Sequence, residues 1–95
     1  MRQVDQERKK AWKAQERQQA QAAFPLPNEL LELLFAFVET QVRQAGCDHT
    51  HRFSETWVSE NKQSRIPIIE WFEENGGFCD CEVGANTRDH WERNK

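Results

Sequence analysis

The distribution of apolar residues limits what this chain can fold into. Among its 95 residues they concentrate in the ranges 24–42, 53–58 and 66–83, whereas the first 23 residues are almost entirely polar. This supply suffices for a few helices around one small core, and domains of this size often need a disulfide or metal ion as an additional constraint. We therefore expect a small compact domain over residues 26–95, preceded by a charged N-terminal helix or tail over residues 1–25.

The N-terminal stretch has the composition of a solvated helix. Gln, Lys, Arg, Glu and Ala, all fair to good helix formers, dominate from Val4 to Ala23, and Trp12 offers a contact through which this helix could lie along the body. Pro25 and Pro27 then end the helix, because proline lacks the backbone donor and restricts the residue before it.

Charge is divided unevenly between this leader and the body. Residues 1–23 contain six basic and three acidic side chains, a net charge of +3, so the remainder carries −6 within the total of −3. A basic leader of this kind could bind a protein partner or RNA, or it could be only a solvated helix. We expect no membrane partner.

Two helices are predicted in the first half of the body. The first begins with Asn28 as its cap and ends at Gly46, with apolar residues at three- and four-residue steps between them. The second begins with Asp48 or Thr50 as its cap and continues to about Asn61. The apolar residues that define their inner faces are Leu31, Leu34, Phe35, Val38 and Val42 in the first and Phe53, Trp57 and Val58 in the second.

Two further helices are predicted in the second half. One starts after Ser64, tolerates Pro67 in its first turn and stops at the glycine pair Gly76-Gly77. Its inward residues are Ile66, Ile69 and Phe72, flanked by Ile68 and Trp71. The other is a short segment capped by Thr87, with Trp91 packing back onto the core.

The stretch "FCDCEV", residues 78–83, alternates in the manner of a β-strand. Phe78, Asp80 and Glu82 would lie on one side, with both cysteines and Val83 on the other. The fold class predicted from these patterns is mainly α, with α+β as the alternative: a small helical domain with one short extended segment.

The cysteines and histidines suggest a metal site. Cys47-x-His49 follows one predicted helix and Cys79-x-Cys81 follows another, so three sulfurs and an imidazole are available, which is a complete tetrahedral set for zinc. Zinc-bound sulfurs lie about 3.8 Å apart, whereas side chains two apart on a strand start about 7 Å apart. The predicted strand would therefore have to bend. His51 is the substitute for His49, and we expect His90 to be a surface residue.

Other roles for the thiols stay open. Cys79 and Cys81 could be buried core residues, or they could form a strained and easily reduced disulfide that acts as a redox switch. Cys47 could be a nucleophile if His49 or His51 lay within hydrogen-bond reach.

The acidic residues beside the thiols have two interpretations. Asp48 and Asp80 could cap helices or turns, or they could orient the ligands around a metal. The carboxylates of Glu70, Glu73 and Glu74 are expected on a solvated helix face. Because no catalytic motif is present, we predict no catalytic residues and a non-enzymatic module, with zinc as the cofactor.

No stretch is apolar enough to cross a bilayer or to form a signal peptide, so the expected compartment is the cytoplasm. Three cysteines are an odd number, and in a reducing compartment clustered thiols indicate metal binding or reactivity before they indicate disulfides.

The segments "GCDHT" and "IIEWFEENGGFCDCEVGAN" resemble a bacterial domain-of-unknown-function family, number 2695, which has a C-D-H-T stretch and a G-G-[FY]-C-D-C-E-V motif. The resemblance covers nearly the whole chain and implies a bacterial origin and a shared compact fold, but no established activity. Gly84 and His51 depart from it, since the family usually has a large aliphatic residue and an apolar residue there. The matching positions are Cys47, Asp48, His49, Thr50, Trp71, Gly76, Gly77, Cys79, Asp80, Cys81, Glu82, Val83 and Asn86.

Overall fold

The computed structural model describes the backbone of residues 2–95 and the side chains of residues 8–95. The predicted mainly α fold is confirmed, and no strand occurs in this part of the chain. The helices are α1 (Arg2–Ala22), α2 (Asn28–Ala45), α3 (Arg52–Glu60), α4 (Arg65–Glu74), α5 (Asp80–Glu82) and α6 (Arg88–Asn94), and a π-helical turn (Val83–Thr87) joins α5 to α6.

Helix α2 lies at the centre of the core, as its periodicity predicted. Leu31, Leu34, Phe35 and Val38 are fully buried because three- and four-residue steps keep them on one face. Large side chains of this kind contribute about 1.5–3 kcal/mol each when buried. The residues that pack around α2 are Trp57, Val58, Ile68, Ile69, Trp71, Phe72, Val83 and Trp91.

The N-terminus of α2 differs from the prediction. Pro27 occupies the cap position and the Asn28 side chain makes no capping bond. Instead, Asn28 Oδ1 accepts a hydrogen bond from Trp91 Nε1 at 3.0 Å. The buried indole needs an acceptor, and satisfying it ties the start of α2 to α6.

Helix α3 also starts later than predicted, and neither Asp48 nor Thr50 occupies its cap position, although Thr50 Oγ1 accepts from the Arg52 amide at 3.3 Å. It begins at Arg52 with His51 at the cap position. Asp48 instead forms a local turn, in which its Oδ1 accepts from the Thr50 amide at 3.0 Å. Short-range bonds of this kind compete with helix capping for the same side chain.

The predicted strand over residues 78–83 is wrong. Cys79 has extended dihedral angles, but the chain turns into α5 at Asp80. The expected alternation fails with it, because Asp80 is buried whereas Cys81 is exposed. Helical geometry prevails because Asp80 finds buried hydrogen-bond donors and Val83 reaches the core.

The glycine pair permits the close packing that ends α4. Gly76 has φ +81°, which favours glycine, and its carbonyl accepts from Asn86 Nδ2 at 2.9 Å. A Cβ on Gly77 would collide with Thr87 Oγ1 and would lie 2.9 Å from a methyl group of Val83. The loop after α4 can therefore lie against the π-helical turn only without a side chain at residue 77.

Two predicted inward contacts are absent. Ile66 is 65% exposed and Trp12 is 62% exposed, so neither belongs to the core. Helix α1 contacts the body near its C-terminal end, where Gln21 Nε2 donates to the Asn94 carbonyl at 2.7 Å. In α4, Ile68 and Ile69 supply the aliphatic burial. Within residues 2–95, no helix is both long and apolar enough to cross a membrane.

Candidate metal centre

Three sulfur atoms from two distant parts of the chain come together in one cluster. The Sγ atoms of Cys47, Cys79 and Cys81 all lie within 4.8 Å of one another. The Cys79 and Cys81 sulfurs are 3.3 Å apart. We call these three residues the thiol cluster. Its members range from buried Cys79 through half-buried Cys47 to exposed Cys81, so the cluster is open to solvent on one side.

The loop after α2 turns Cys47 toward the other sulfurs. Gly46 ends the helix with φ +76°, and its amide donates to the Val42 carbonyl at 2.8 Å. His49 then takes φ +67°, in the left-handed region that non-glycine residues seldom occupy. This turn directs the His49 amide at Cys47 Sγ, at 3.4 Å.

Two backbone amides donate hydrogen bonds to the Cys47 sulfur and favour its thiolate form. Partial burial raises the pKa of Cys47, but the N–H groups of Cys81 and His49, each 3.4 Å from Sγ, stabilise the thiolate. With the neighbouring thiols they bring the pKa of Cys47 below its usual value. The arrangement suits a metal ligand, since amide donors are also the partners that orient metal-bound sulfur.

Cys79 behaves in the opposite way. Burial raises the pKa of Cys79 to about 12, and the side chains of Cys81 and Cys47 act in the same direction. Glu82 Oε1 lies 3.5 Å from its sulfur. Without a metal, Cys79 is therefore a protonated thiol, and a divalent ion would have to displace that proton.

Asp80, between the two cysteines, connects the cluster to α3. Its carboxylate accepts from the amides of Phe53 at 2.9 Å and Ser54 at 3.1 Å, and from Ser54 Oγ at 2.7 Å. Its own amide donates to the Thr50 carbonyl at 3.0 Å. The amides of Phe53 and Ser54 belong to the first turn of α3, so Asp80, 26 positions after Ser54, supplies the helix cap.

The two histidines near the thiol cluster, His49 and His51, have different surroundings. His49 is exposed, whereas His51 is half-buried, with its ring against Phe72 and its Nε2 2.7 Å from the Gly77 carbonyl. Because a carbonyl only accepts, this Nε2 carries the proton. Among the described residues, the ring nitrogens of His49, His51 and His90 are not part of the set within 4.8 Å.

Two features of the site were not predicted from sequence. Ser54 is a fully buried partner of Asp80, and Glu82 approaches the thiol cluster. The one hint of the Asp80 contact was that this aspartate stands between two cysteines, a residue type that is often buried, so its carboxylate would need buried hydrogen-bond donors. No local pattern marks Ser54, because its contact spans 26 residues. The carboxylates of Glu70, Glu73 and Glu74 are exposed, as predicted.

The spacing of the thiol cluster is compatible with a bound metal ion. Sulfurs around tetrahedral zinc lie about 3.8 Å apart, and the observed distances, 3.3 Å for one pair and at most 4.8 Å for all, are close to that value. Small side-chain rotations would suffice to bring the sulfurs to ligand positions.

Comparison with known proteins agrees with the sequence resemblance. A family model described as "Protein of unknown function (DUF2695)" matches residues 34–86. The chain is also 31% identical over 77 residues to uncharacterised proteins of Mycobacterium bovis and Mycobacterium tuberculosis, covering 81% of this chain and 78% of each relative. No solved structure matches significantly. The family match spans more than half of the chain and includes all three cysteines, and on these grounds the protein belongs to the DUF2695 family.

Proposed function

We propose that the protein is a small non-enzymatic module that holds one structural zinc ion through Cys47, His49, Cys79 and Cys81. The observation that carries this proposal is the convergence of three sulfurs within 4.8 Å of one another. Three thiols brought this close from two distant segments of the chain favour zinc, because thiolate and imidazole are its preferred ligands.

His49 is the better fourth ligand of the two nearby histidines. Its amide already lies 3.4 Å from Cys47 Sγ, so its side chain starts at the edge of the cluster, and its exposed ring is free to rotate. His51 would have to give up its contact with the Gly77 carbonyl and its packing on Phe72. Moving His49 therefore costs less.

A structural role follows from what surrounds the cluster. Four protein ligands leave no coordination position for a substrate, as is usual for structural zinc. The segment from Gly77 to Asp80 reaches α3 mainly through hydrogen bonds, and Phe78 is exposed. A metal ion would join the end of α2 to this segment and add stability that the small core lacks.

Metal content is the direct test. Untagged protein purified under reducing conditions without chelator should contain about one zinc per chain by mass spectrometry, and cobalt substitution should give the absorption bands of tetrahedral thiolate coordination. Cys79→Ser should lower both zinc content and thermal stability. Unchanged values for both would contradict the proposal.

A matched pair of histidine variants tests the fourth ligand. Loss of a group that only supports a ligand costs about 10–100-fold in metal affinity, so His49→Gln should weaken zinc binding by at least that much. His51→Gln, which removes a ring at the same site without removing the proposed ligand, should leave cobalt absorption unchanged. The reverse result would assign the ligand to His51.

A second candidate, a thiol redox pair, is favoured by the 3.3 Å separation of the Cys79 and Cys81 sulfurs. Oxidation by a small-molecule disulfide would form one sulfur–sulfur bond, and the two electrons and two protons would reduce the oxidant to two thiols. The raised pKa of Cys79 opposes this reaction. Reversible loss of two hydrogens by intact mass, in protein free of metal, would favour the redox pair over zinc.

A further inference from the structure

A polar groove runs between α1 and α6. Its lining includes none of the cysteines of the thiol cluster. It has a volume of about 980 Å³. Helix α1 forms one wall and the last residues of α6 form the other, and the two are joined where Arg17 donates to the Arg93 carbonyl at 3.4 Å and Gln21 donates to that of Asn94 at 2.7 Å. We call this feature the α1–α6 groove.

The α1 wall presents one continuous basic face. Lys10, Lys13 and Arg17 follow one another at three- and four-residue steps, so they share a side of the helix. Arg93, which also pairs with Asp89 at 3.0 Å, adds a fourth cation from α6, and among the described lining residues Glu16 is the acidic one. The net charge of these lining residues is thus +3, in a chain whose residues 24–95 carry −6.

The lining excludes two kinds of occupant. Among the residues of the lining whose side chains the structure describes, Ala14 is the sole apolar one, so they offer no apolar stripe for an amphipathic helix. A membrane-surface helix would need large apolar residues opposite the basic ones. Trp12, which is exposed, stands alone on the far side of α1 from the groove.

We infer that the α1–α6 groove binds the phosphate backbone of single-stranded RNA. The α1 residues of the lining run from Lys10 to Gln21, about 16 Å at 1.5 Å per residue. The cations are therefore spread along a stretch that the phosphates of a short extended single strand can follow. The side-chain amide of Gln18 can meet ribose hydroxyls, which both donate and accept, and so can Oδ1 of Asn94, whose Nδ2 already donates to the His90 carbonyl at 2.8 Å.

Salt dependence gives the expected magnitude. For single strands the logarithm of the binding constant falls by about 0.7 per neutralised phosphate for each logarithmic unit of salt. With three net charges the slope is about −2, so raising salt from about 50 mM to about 200 mM should weaken binding about 20-fold. Fluorescence anisotropy of a labelled oligouridine with the full chain measures this directly.

Matched lysine variants decide whether the groove is responsible. Lys13→Gln, in the groove, should make the salt slope shallower by about 0.7. Lys9→Gln removes the same charge from α1 outside the groove lining and should leave binding nearly unchanged. Equal effects of the two variants, or no detectable binding at low salt, would overturn the inference.

Competitors decide the class of partner. Unlabelled oligouridine should displace the probe, and poly-glutamate at equal charge should not. Displacement by poly-glutamate as effective as by RNA would reassign the groove to acidic protein segments. Equal affinity for the deoxy-oligonucleotide would overturn the assignment to RNA. These RNA-binding experiments do not depend on zinc, so their result neither supports nor contradicts the proposed metal site.

Discussion

Replacing Asp80 tests how much its buried carboxylate, which caps α3 from the segment between Cys79 and Cys81, stabilises the fold. The Asp80 side chain is 1% exposed and accepts hydrogen bonds from the amides of Phe53 and Ser54 and from the Ser54 hydroxyl, at 2.7–3.1 Å. Truncation in Asp80→Ala would leave all three donors without their acceptor in a buried place.

The expected loss of stability follows from these three bonds. An unsatisfied buried donor costs about 1–3 kcal/mol, and loss of a helix N-cap costs about 0.5–2 kcal/mol. Because the three bonds share one carboxylate they do not add fully, and we expect Asp80→Ala to lower the free energy of unfolding by about 3–4 kcal/mol. Asp80→Asn keeps one acceptor oxygen and should lose about 2 kcal/mol.

Chemical denaturation followed by circular dichroism, with chelator present, measures the change without metal. Asp48→Ala is the matched control, because Asp48 also accepts from an amide and a hydroxyl, both of Thr50, but is exposed. It should change stability far less than Asp80→Ala does. Ser54→Ala, which removes one of the three bonds, should lose about 1 kcal/mol and remain folded. If Asp80→Ala and Asp48→Ala lose equal stability, the buried cap contributes nothing and the reasoning fails.

Three other predictions concern the close contact at Gly77 and the buried thiol. Gly77→Ala should destabilise by about 1–3 kcal/mol in thermal melts, because its Cβ would collide with Thr87; a neutral result would mean that the loop moves freely. Gly84→Ala is the control, since a Cβ there meets nothing within 4 Å, and it should stabilise by roughly 0.5–1 kcal/mol. Metal-free protein should lose stability as pH rises from 9 toward 12, because folding raises the pKa of Cys79 from its ordinary 9.0 to about 12 and the folded state therefore holds that proton more tightly. In Cys79→Ala the denaturation midpoint should change less with pH across this range than in the unmodified protein. The same pH dependence in both proteins would exclude this thiol as the cause.

The candidate site was predictable in its residue types and less so in its geometry. Cys47, Cys79 and Cys81 could be singled out because thiols near helix ends suit a metal, whatever the local backbone does. The strand predicted for residues 78–83 was wrong because a six-residue alternation is a weak signal. A buried carboxylate contact of Asp80 outweighed it.

The helices and their core faces are largely properties of the sequence. Apolar residues at three- and four-residue steps define a buried face for α2 wherever the helix is placed, and the burial of Leu31, Leu34, Phe35 and Val38 follows from local spacing alone. The end of α2 at Gly46 is local in the same sense, because a left-handed residue stops the helix without help from distant groups.

The tertiary structure decided which groups pair across the chain. Asp80 caps α3 from 26 residues away, Asn28 accepts from Trp91 rather than capping its own helix, and Cys47 meets Cys81 across 34 residues. Each contact satisfies a buried or half-buried polar group, and which distant partner satisfies it depends on how the helices pack. The spacing of residues along the sequence does not predict such distant partners. For this protein the sequence determined the helices and the chemical identity of the site, and only the packing of those helices brought the thiols together.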